Sequence, residues 1–391
     1  MKKIVFVFHN SEINSGATHS LVDSIEYLLN TGKYEIETVF PDSNGTCVQY
    51  FHDHNIPVHI YRYGNLMQDL SQTFIKRIIK FPILCLRYLL VKREAHKAAK
   101  DFEESKVDLV YTNTSCVIFG GFLGQYLSAK NIWHIREFRK EDHRICFFLG
   151  DKYLQRFINT YADWILFVSK SVLNAHKYID KAKTSVTYNC YPKTFISPKL
   201  IFNKTKKLNI LIAGDIKPSK GQLDVVKAVA LANQIDPEFD FKLHLAGKLS
   251  NITYVKEIKK FVVKNKLEGK IILYGSVKEM SLLRKNMYIG IVASTNEALG
   301  RTTAEGMLSM IVMIGRNSGG TTEQIQDGIT GLLYDGSISE LAHKILYLNN
   351  NRDVMERIAR EAFSWAVNFH TKGRAAKIAE LAIDRVLSDK R

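Results

Sequence analysis

Cysteine is scarce in this chain, and its placement argues against pairing. The five residues, Cys47, Cys85, Cys116, Cys146 and Cys190, lie at least 30 positions apart, and the count is odd. There is no CxxC pair and no tight metal-ligand spacing. That excludes a disulfide framework and a zinc ribbon, and it implies a reducing compartment, the cytoplasm. Seven prolines and 23 glycines in 391 residues exclude collagen-like and low-complexity classes. No uncharged apolar run approaches the ~18 residues of a membrane span. The start, Met1-Lys2-Lys3 before Ile4-Val5-Phe6-Val7-Phe8, carries the charge of a signal peptide. Its apolar run falls short of the ~7–15 residues a signal needs, so it reads as a first buried strand. What remains is 46% hydrophobic and 24% charged, a globular composition long enough for two domains.

Positive charge is plentiful: the net value is +16. It concentrates in residues 71–100, which hold eight basic residues (Lys76, Arg77, Lys80, Arg87, Lys92, Arg93, Lys97, Lys100) against one acid, Glu94. The same stretch is apolar, with Phe74, Ile75, Ile78, Ile79, Phe81, Ile83, Leu86, Leu89 and Leu90. Its spacing predicts a helix that Pro82 kinks or divides in two. Two readings stand: a core-packing helix with a solvated basic face, or a basic amphipathic helix lying on an anionic membrane surface. No recognisable nucleic-acid motif accompanies the charge, so no nucleic-acid partner is expected.

Short apolar runs alternate with helical patterns. Strands are expected at 3–8, 35–40, 58–61, 109–112, 131–135, 164–168 and 184–188, and again at 208–213, 242–246, 270–274, 289–292 and 311–314. Helices are expected at 18–29, 47–54 and, last, 373–387. Such alternation implies parallel sheets covered by helices on both faces. Two series predict two Rossmann-like α/β domains facing across a cleft, with a linker at 192–207 that holds Pro192, Pro198 and a cluster of lysines. Ligands of such domains bind beyond the C-terminal ends of the strands.

Two segments look chemical against that background. In the first, an apolar strand ends in Gly214-Asp215; a loop follows, and Lys220-Gly221 precedes a helix from Gln222. A lysine there is a compact cation for phosphate, or a solvated turn residue. The second runs Ser294-Thr-Asn-Glu297-Ala-Leu-Gly300-Arg301-Thr302-Thr303-Ala-Glu305. Gly300 permits close backbone approach. Thr302 and Thr303 open a helix whose free N–H groups favour an anion. Glu297 in the loop and Glu305 on the helix are two carboxylates suited to sugar hydroxyls, although Glu305 also reads as a first-turn acid favoured by the helix dipole. Ser318-Gly319-Gly320-Thr321-Thr322-Glu323 is a glycine-rich turn before another helix, and Asp327-Gly328-Ile329-Thr330-Gly331-Leu332 a turn into an edge strand. His52-Asp53-His54 is the nearest approach to a metal cluster and reads as the polar face of a helix.

In this order and spacing, these segments resemble family 4 (group 1) glycosyltransferases of the GT-B fold. Glu297 to Glu305 matches the family's E-x7-E motif, and Lys220-Gly221 its donor-phosphate lysine. In the first half Gly16-Ala17 resembles its glycine-rich loop. Thr112-Asn113-Thr114-Ser115 and Trp133-His134-Ile135-Arg136-Glu137-Phe138 are similar to its acceptor-side strand ends. Two departures stand out. Asp215 occupies a position where Arg is frequent, and the family's Thr-x-His-Asp strand end appears as Arg136 with His134 two residues earlier.

The resemblance implies a retaining transfer of a sugar from a nucleotide-sugar to an acceptor hydroxyl, without cofactor or metal. No Asp-x-Asp diphosphate–metal signature occurs. Residues 1–192 are expected to bind acceptor, 207–368 the nucleotide-sugar, and 369–391 to form a helix returning to the N-terminal domain. Catalytic roles fall to Lys220, Arg301 and Glu297. Gly16, Gly214, Val277, Gly300, Thr302 and Glu305 complete the donor set, with ribose on Glu305 and base near Val277. Asn113, His134, Arg136 and Glu137 stand on the acceptor side. The branch resembled builds bacterial capsule, exopolysaccharide or lipopolysaccharide chains on lipid carriers. Hence the expected acceptor is a lipid-linked glycan, and the expected location is cytoplasmic, peripheral on the inner membrane. The rivals are a GT-B nucleotide-sugar epimerase or phosphorylase, and an inactive scaffold binding polyanions or membrane.

Overall fold

The computed structural model describes residues 1–13, 16–198, 207–371 and 373–389. The chain divides into two compact units: Met1–Cys190 with Gly373–Arg391, and Tyr191–Lys372. Of the linker expected at 192–207, residues 199–206 lie outside the described residues, and Lys193–Phe195 form a 3-10 turn.

In the first unit the strands are β1 (Lys2–Val7), β2 (Tyr34–Phe40), β3 (Val58–Ile60), β4 (Met67–Asp69), β5 (Leu109–Asn113), β6 (Lys130–Ile135), β7 (Ile145–Phe147), β8 (Trp164–Phe167) and β9 (Thr184–Val186). Its helices are α1 (Gly16–Asn30), α2 (Thr46–Asp53), α3 (Phe74–Asp101), α4 (Phe119–Tyr126), α5 (Lys140–His143), α6 (Asp151–Tyr161) and α7 (Lys170–Ala175). Seven strands form a parallel sheet in the order β3-β2-β1-β5-β6-β8-β9. Ile4 to Phe8 are all fully buried, as a strand covered on both faces requires. β4 and β7 pair antiparallel, Gln68 opposite Cys146. Neither was expected: three residues carry no usable period, and their partners lie far apart in sequence.

The second unit holds β10 (Leu208–Ala213), β11 (Phe241–Ala246), β12 (Ile271–Gly275), β13 (Ile289–Val292), β14 (Val312–Arg316) and β15 (Leu332–Tyr334). They form a parallel sheet ordered β12-β11-β10-β13-β14-β15. Around it run α8 (Gln222–Ile235), α9 (Ile252–Lys264), α10 (Met280–Arg284), α11 (Arg301–Met307), α12 (Ile338–Asn350) and α13 (Arg352–Ala366). Beyond Ser318 the expected helix is only a 3-10 turn over Gly319–Glu323. Asp327 caps the following turn by accepting from the Leu333 amide at 2.7 Å, feeding β15.

The last helix, α14 (Arg374–Ser388), belongs to the first unit. It buries Ala379, Ala382, Ile383 and Val386 against the core of β1, β2 and β5. Lys33 donates to Glu380 at 2.6 Å and Tyr34 to Asp384 at 2.5 Å. Two Rossmann-like parallel sheets with a C-terminal helix returning to the first are the GT-B architecture.

In each sheet the chain reverses direction of travel once, between β1 and β5 and between β10 and β13. Strand ends flanking such a switch point leave a crevice that neighbouring connections do not cover. The chemical segments follow these strands.

Candidate active site

In the second unit, Gly214 follows β10 and Ser294 follows β13, so their loops emerge side by side. Lys220, at the end of the 3-10 turn before α8, pairs with Oε1 of Glu297. The hydroxyl of Ser294 donates to the same oxygen at 2.6 Å. Glu297 is thus held by a residue from each of the two switch-point loops. Beneath it sits the Gly319-Gly320 turn. The Gly320 amide donates to the Glu297 carbonyl at 2.7 Å, and Gly319 is in the left-handed region at φ 56°. A β-carbon on Gly320 would stand 2.3 Å from the Ala298 carbonyl oxygen. The glycine pair is there because the 297–299 backbone lies against it.

Gly300, at φ 84°, caps α11. Arg301 and Glu305, one helical turn apart, approach to 3.4 Å between Nε and Oε1. The Arg301 guanidinium stacks over Tyr191, 4.7 Å from the ring centre. The other Glu305 oxygen is taken by Arg284 at the end of α10. Thr302 is half-buried in the first turn, and Val277 half-buried against the apolar cluster around Met307. Asp215 is exposed, its carbonyl accepting from Gln222 at 2.9 Å.

Sequence reasoning did not find Arg284 or Gln324. Arg284 sits on a five-residue helix with no motif around it, and only the fold carries it to Glu305. Gln324 donates to the carbonyls of Leu299 and Gly300, fixing the turn before Arg301.

The first unit joins Asn113, Arg136 and Glu137 in one buried network. Arg136 donates to Asn113 at 2.7 Å and to Asn189 at 3.0 Å, joining residues at or just beyond the ends of β5, β6 and β9. Asn113 donates to the Ala17 carbonyl at 3.2 Å, tying in the turn that begins at Gly16. Glu137 accepts from the Ser115 amide at 2.6 Å and its hydroxyl at 2.5 Å. His134 shares a 2.7 Å hydrogen bond with Tyr111. Burial, and then the charge of Arg136, push the His134 pKa well below its ordinary value, so the ring is neutral. Asn113, His134, Arg136 and Glu137 are all buried.

Behind them lies Arg139, which no motif announced. It is 1% exposed and held at φ 76°, an uncommon conformation for a residue with a side chain. It donates to Ser115 at 2.6 Å and to Nε2 of His176 at 3.0 Å. Because arginine only donates, His176 must accept there and carry its proton on Nδ1, which donates to the Val172 carbonyl at 2.7 Å. Burial and then Arg139 lower the His176 pKa to about 3.

Among the described residues no group of three or more His, Cys, Asp or Glu side chains is placed to hold a metal ion. Asp53 instead accepts from Gln49 at 2.6 Å, and His54 hydrogen-bonds the Tyr50 carbonyl at 2.8 Å.

Several solved glycosyltransferases share this fold over the whole chain. Anabaena Alr3699/HepE, crystallised in complex with UDP and glucose, superposes with a TM-score of 0.78 at 19% identity, covering 100% of both chains. A Rickettsia africae glycosyltransferase gives 0.79 at 19% identity, covering 100% of this chain and 99% of that one. These likenesses define a GT-B protein. Residues 193–365 match the family described as "Glycosyl transferases group 1". An uncharacterized glycosyltransferase of Methanocaldococcus jannaschii, MJ1178, is 30% identical over 284 residues, 69% of this chain and 76% of the relative. The chain belongs to the group 1 glycosyltransferases.

Proposed function

We propose that the protein transfers a sugar from a nucleotide-sugar to an acceptor hydroxyl with retention at the anomeric carbon, on a lipid-linked glycan of a bacterial cell-surface polysaccharide. The observation that carries this is the pairing in the second unit. Two carboxylates, Glu297 and Glu305, are each held by basic side chains on loops and helices at the strand ends. UDP and glucose in Anabaena HepE support a nucleotide-sugar donor.

The second unit takes the donor. Glu305, oriented by Arg284 and Arg301, accepts from the ribose hydroxyls, with the base toward Val277. Glu297 accepts from the hydroxyls of the sugar. The bond from the anomeric carbon to the diphosphate breaks, and Lys220, Arg301 and the backbone after Gly300 stabilise the charge that develops on the leaving oxygen. The acceptor oxygen bonds to the same carbon, and its proton passes to the departing phosphate, so no side-chain base is needed. These cations do the work a metal does elsewhere. In the first unit, Asn113, Arg136 and Glu137 form a prearranged polar floor for the acceptor, oriented from behind by Ser115 and Arg139. The protein works in the cytoplasm against an anionic membrane, through residues 71–100.

Glu297→Gln tests the assignment. Calorimetry should show nucleoside diphosphate affinity nearly unchanged while turnover falls steeply. NMR of the product should show the donor's anomeric configuration; an inverted product overturns the proposal.

A further inference from the structure

The helix that Pro82 was expected to kink or divide in two is undivided from Phe74 to Asp101. Proline removes the hydrogen bond to the Ile78 carbonyl, but that residue is exposed and water can serve it. Continuity gives α3 a long outer face, and its composition is unusual. Phe74, Ile75, Ile78, Ile79, Phe81, Ile83, Leu86, Leu89 and Leu90 are each between 41 and 71% exposed. Single exposed apolar residues are ordinary, but nine on one helix mark a surface that meets something.

At about 100° per residue, eight of the nine, all but Phe81, fall within one half-cylinder of ~180° spanning roughly 24 Å of axis. The buried Leu84, Val91, Ala95 and Ala98 lie opposite. Lys76, Lys80 and Arg87 cluster within about 40° along one flank of the apolar arc. Past Leu90 the outer side changes character: Lys92, Arg93, Lys97 and Lys100 are exposed there. The helix is seated firmly. Phe81 and Tyr88 pack their rings on Phe148, and Tyr88 hydrogen-bonds Tyr153 at 3.0 Å. Leu149, next to Phe148 in the chain, is also exposed.

We infer that this outer face of α3 inserts in the plane of an anionic bilayer, with Phe74 to Leu90 among the acyl chains and the flanking basic residues on lipid phosphates. The inference deepens the membrane reading proposed above: insertion of apolar side chains holds the protein, and charge only directs it. Among the described residues no helix is long and apolar enough to cross a membrane, so the helix lies in the interface. Lysines interleaved along the edge favour lipid over a protein partner, because protein interfaces are depleted in lysine.

The test uses the full chain with vesicles of phosphatidylcholine alone and with ~30% phosphatidylglycerol, the range in which basic residues sense surface charge. Ile79→Ser/Leu86→Ser/Leu89→Ser should lower the partition coefficient on anionic vesicles more than tenfold, with the melting temperature and nucleoside diphosphate affinity unchanged. Lys76→Gln/Lys80→Gln/Arg87→Gln should lower it less and flatten its salt dependence. Ile79→Trp should shift its emission to the blue on vesicles and be quenched by brominated acyl chains. Binding lost in high salt but indifferent to the serine changes would overturn insertion. So would a wild-type dimer that the serine changes convert to monomer without affecting vesicle binding, which would assign the face to a second copy. No wild-type binding at low salt refutes it outright. Nucleotide affinity, read in the same variants, keeps failure of the anchor separate from failure of the donor site.

Discussion

Glu305→Gln is the sharpest probe of the donor site, because the structure says what each carboxylate oxygen already does. One oxygen is engaged by Arg284 and the other by Arg301 at 3.4 Å. A carboxylate offers about four acceptor positions, so about two remain for ribose hydroxyls. Glutamine keeps the shape and one acceptor oxygen, which Arg284 will claim. On the proposed reading, what is lost is a charge-assisted hydrogen bond to ribose, ~1–3 kcal/mol, or about 5- to 150-fold in Kd. Titration of the best-binding nucleoside diphosphate by calorimetry reads this directly. Stability also falls, because Arg284 and Glu305 side chains are only 9 and 13% exposed and the guanidinium loses its counter-charge. At about 2–4 °C per kcal/mol for a domain of this size, a drop of a few degrees is expected. An unchanged Kd in Glu305→Gln, with a raised Kd in Glu297→Gln, would refute the placement of ribose on Glu305.

Lys220→Ala should cut turnover by orders of magnitude while the fold persists, and wild-type activity should survive EDTA; full activity in the variant, or a strict Mn²⁺ requirement, contradicts the donor-phosphate role. Gly320→Ala would place a β-carbon 2.3 Å from the Ala298 carbonyl, so the 297–299 backbone must move, and turnover should fall more than nucleotide affinity; a fully active variant removes that constraint. Acid should destabilise the first unit. His176 is depressed to about 3 and His9 to about 4, both chiefly by burial. The unfolded chain therefore binds protons that the native one refuses. The stability these rings contribute is complete above about 6.5 and is lost as pH falls toward 4. Calorimetric melts across that range should show a declining midpoint, shallower in His176→Asn; a flat profile from pH 7 to 5 argues against neutral buried rings.

Much of the fold was legible because its signals are local. Buried parallel strands announce themselves as runs such as Ile4 to Phe8 and Ile210 to Ile212, and the glycines at Gly214, Gly221 and Gly300 punctuate them. The antiparallel pair of β4 and β7 was not legible, since a three-residue strand exists only because its partner is there. Pro82 argued locally for a kink or a division, and the helix runs on undivided through it, beside an exposed Ile78.

By itself the sequence determined two parallel α/β series, the positions of Lys220, Glu297, Arg301 and Glu305 relative to their strands, and the concentration of basic charge in 71–100. Spacing along a chain suffices for that, because a strand end and a helix start are set by neighbours a few residues away. Only the tertiary structure decided who holds whom. Arg284 reaches Glu305 because Met280 and Leu283 of α10 pack on the cluster that holds Ala304 and Met307 of α11, and Arg139 reaches His176 because two loops of the first sheet converge. Side-chain partnership across elements depends on packing, which no local pattern encodes. The same is true of α3: the sequence shows an apolar and basic helix, and only burial of Leu84, Val91 and Ala95 tells which apolar residues face inward and which are left exposed.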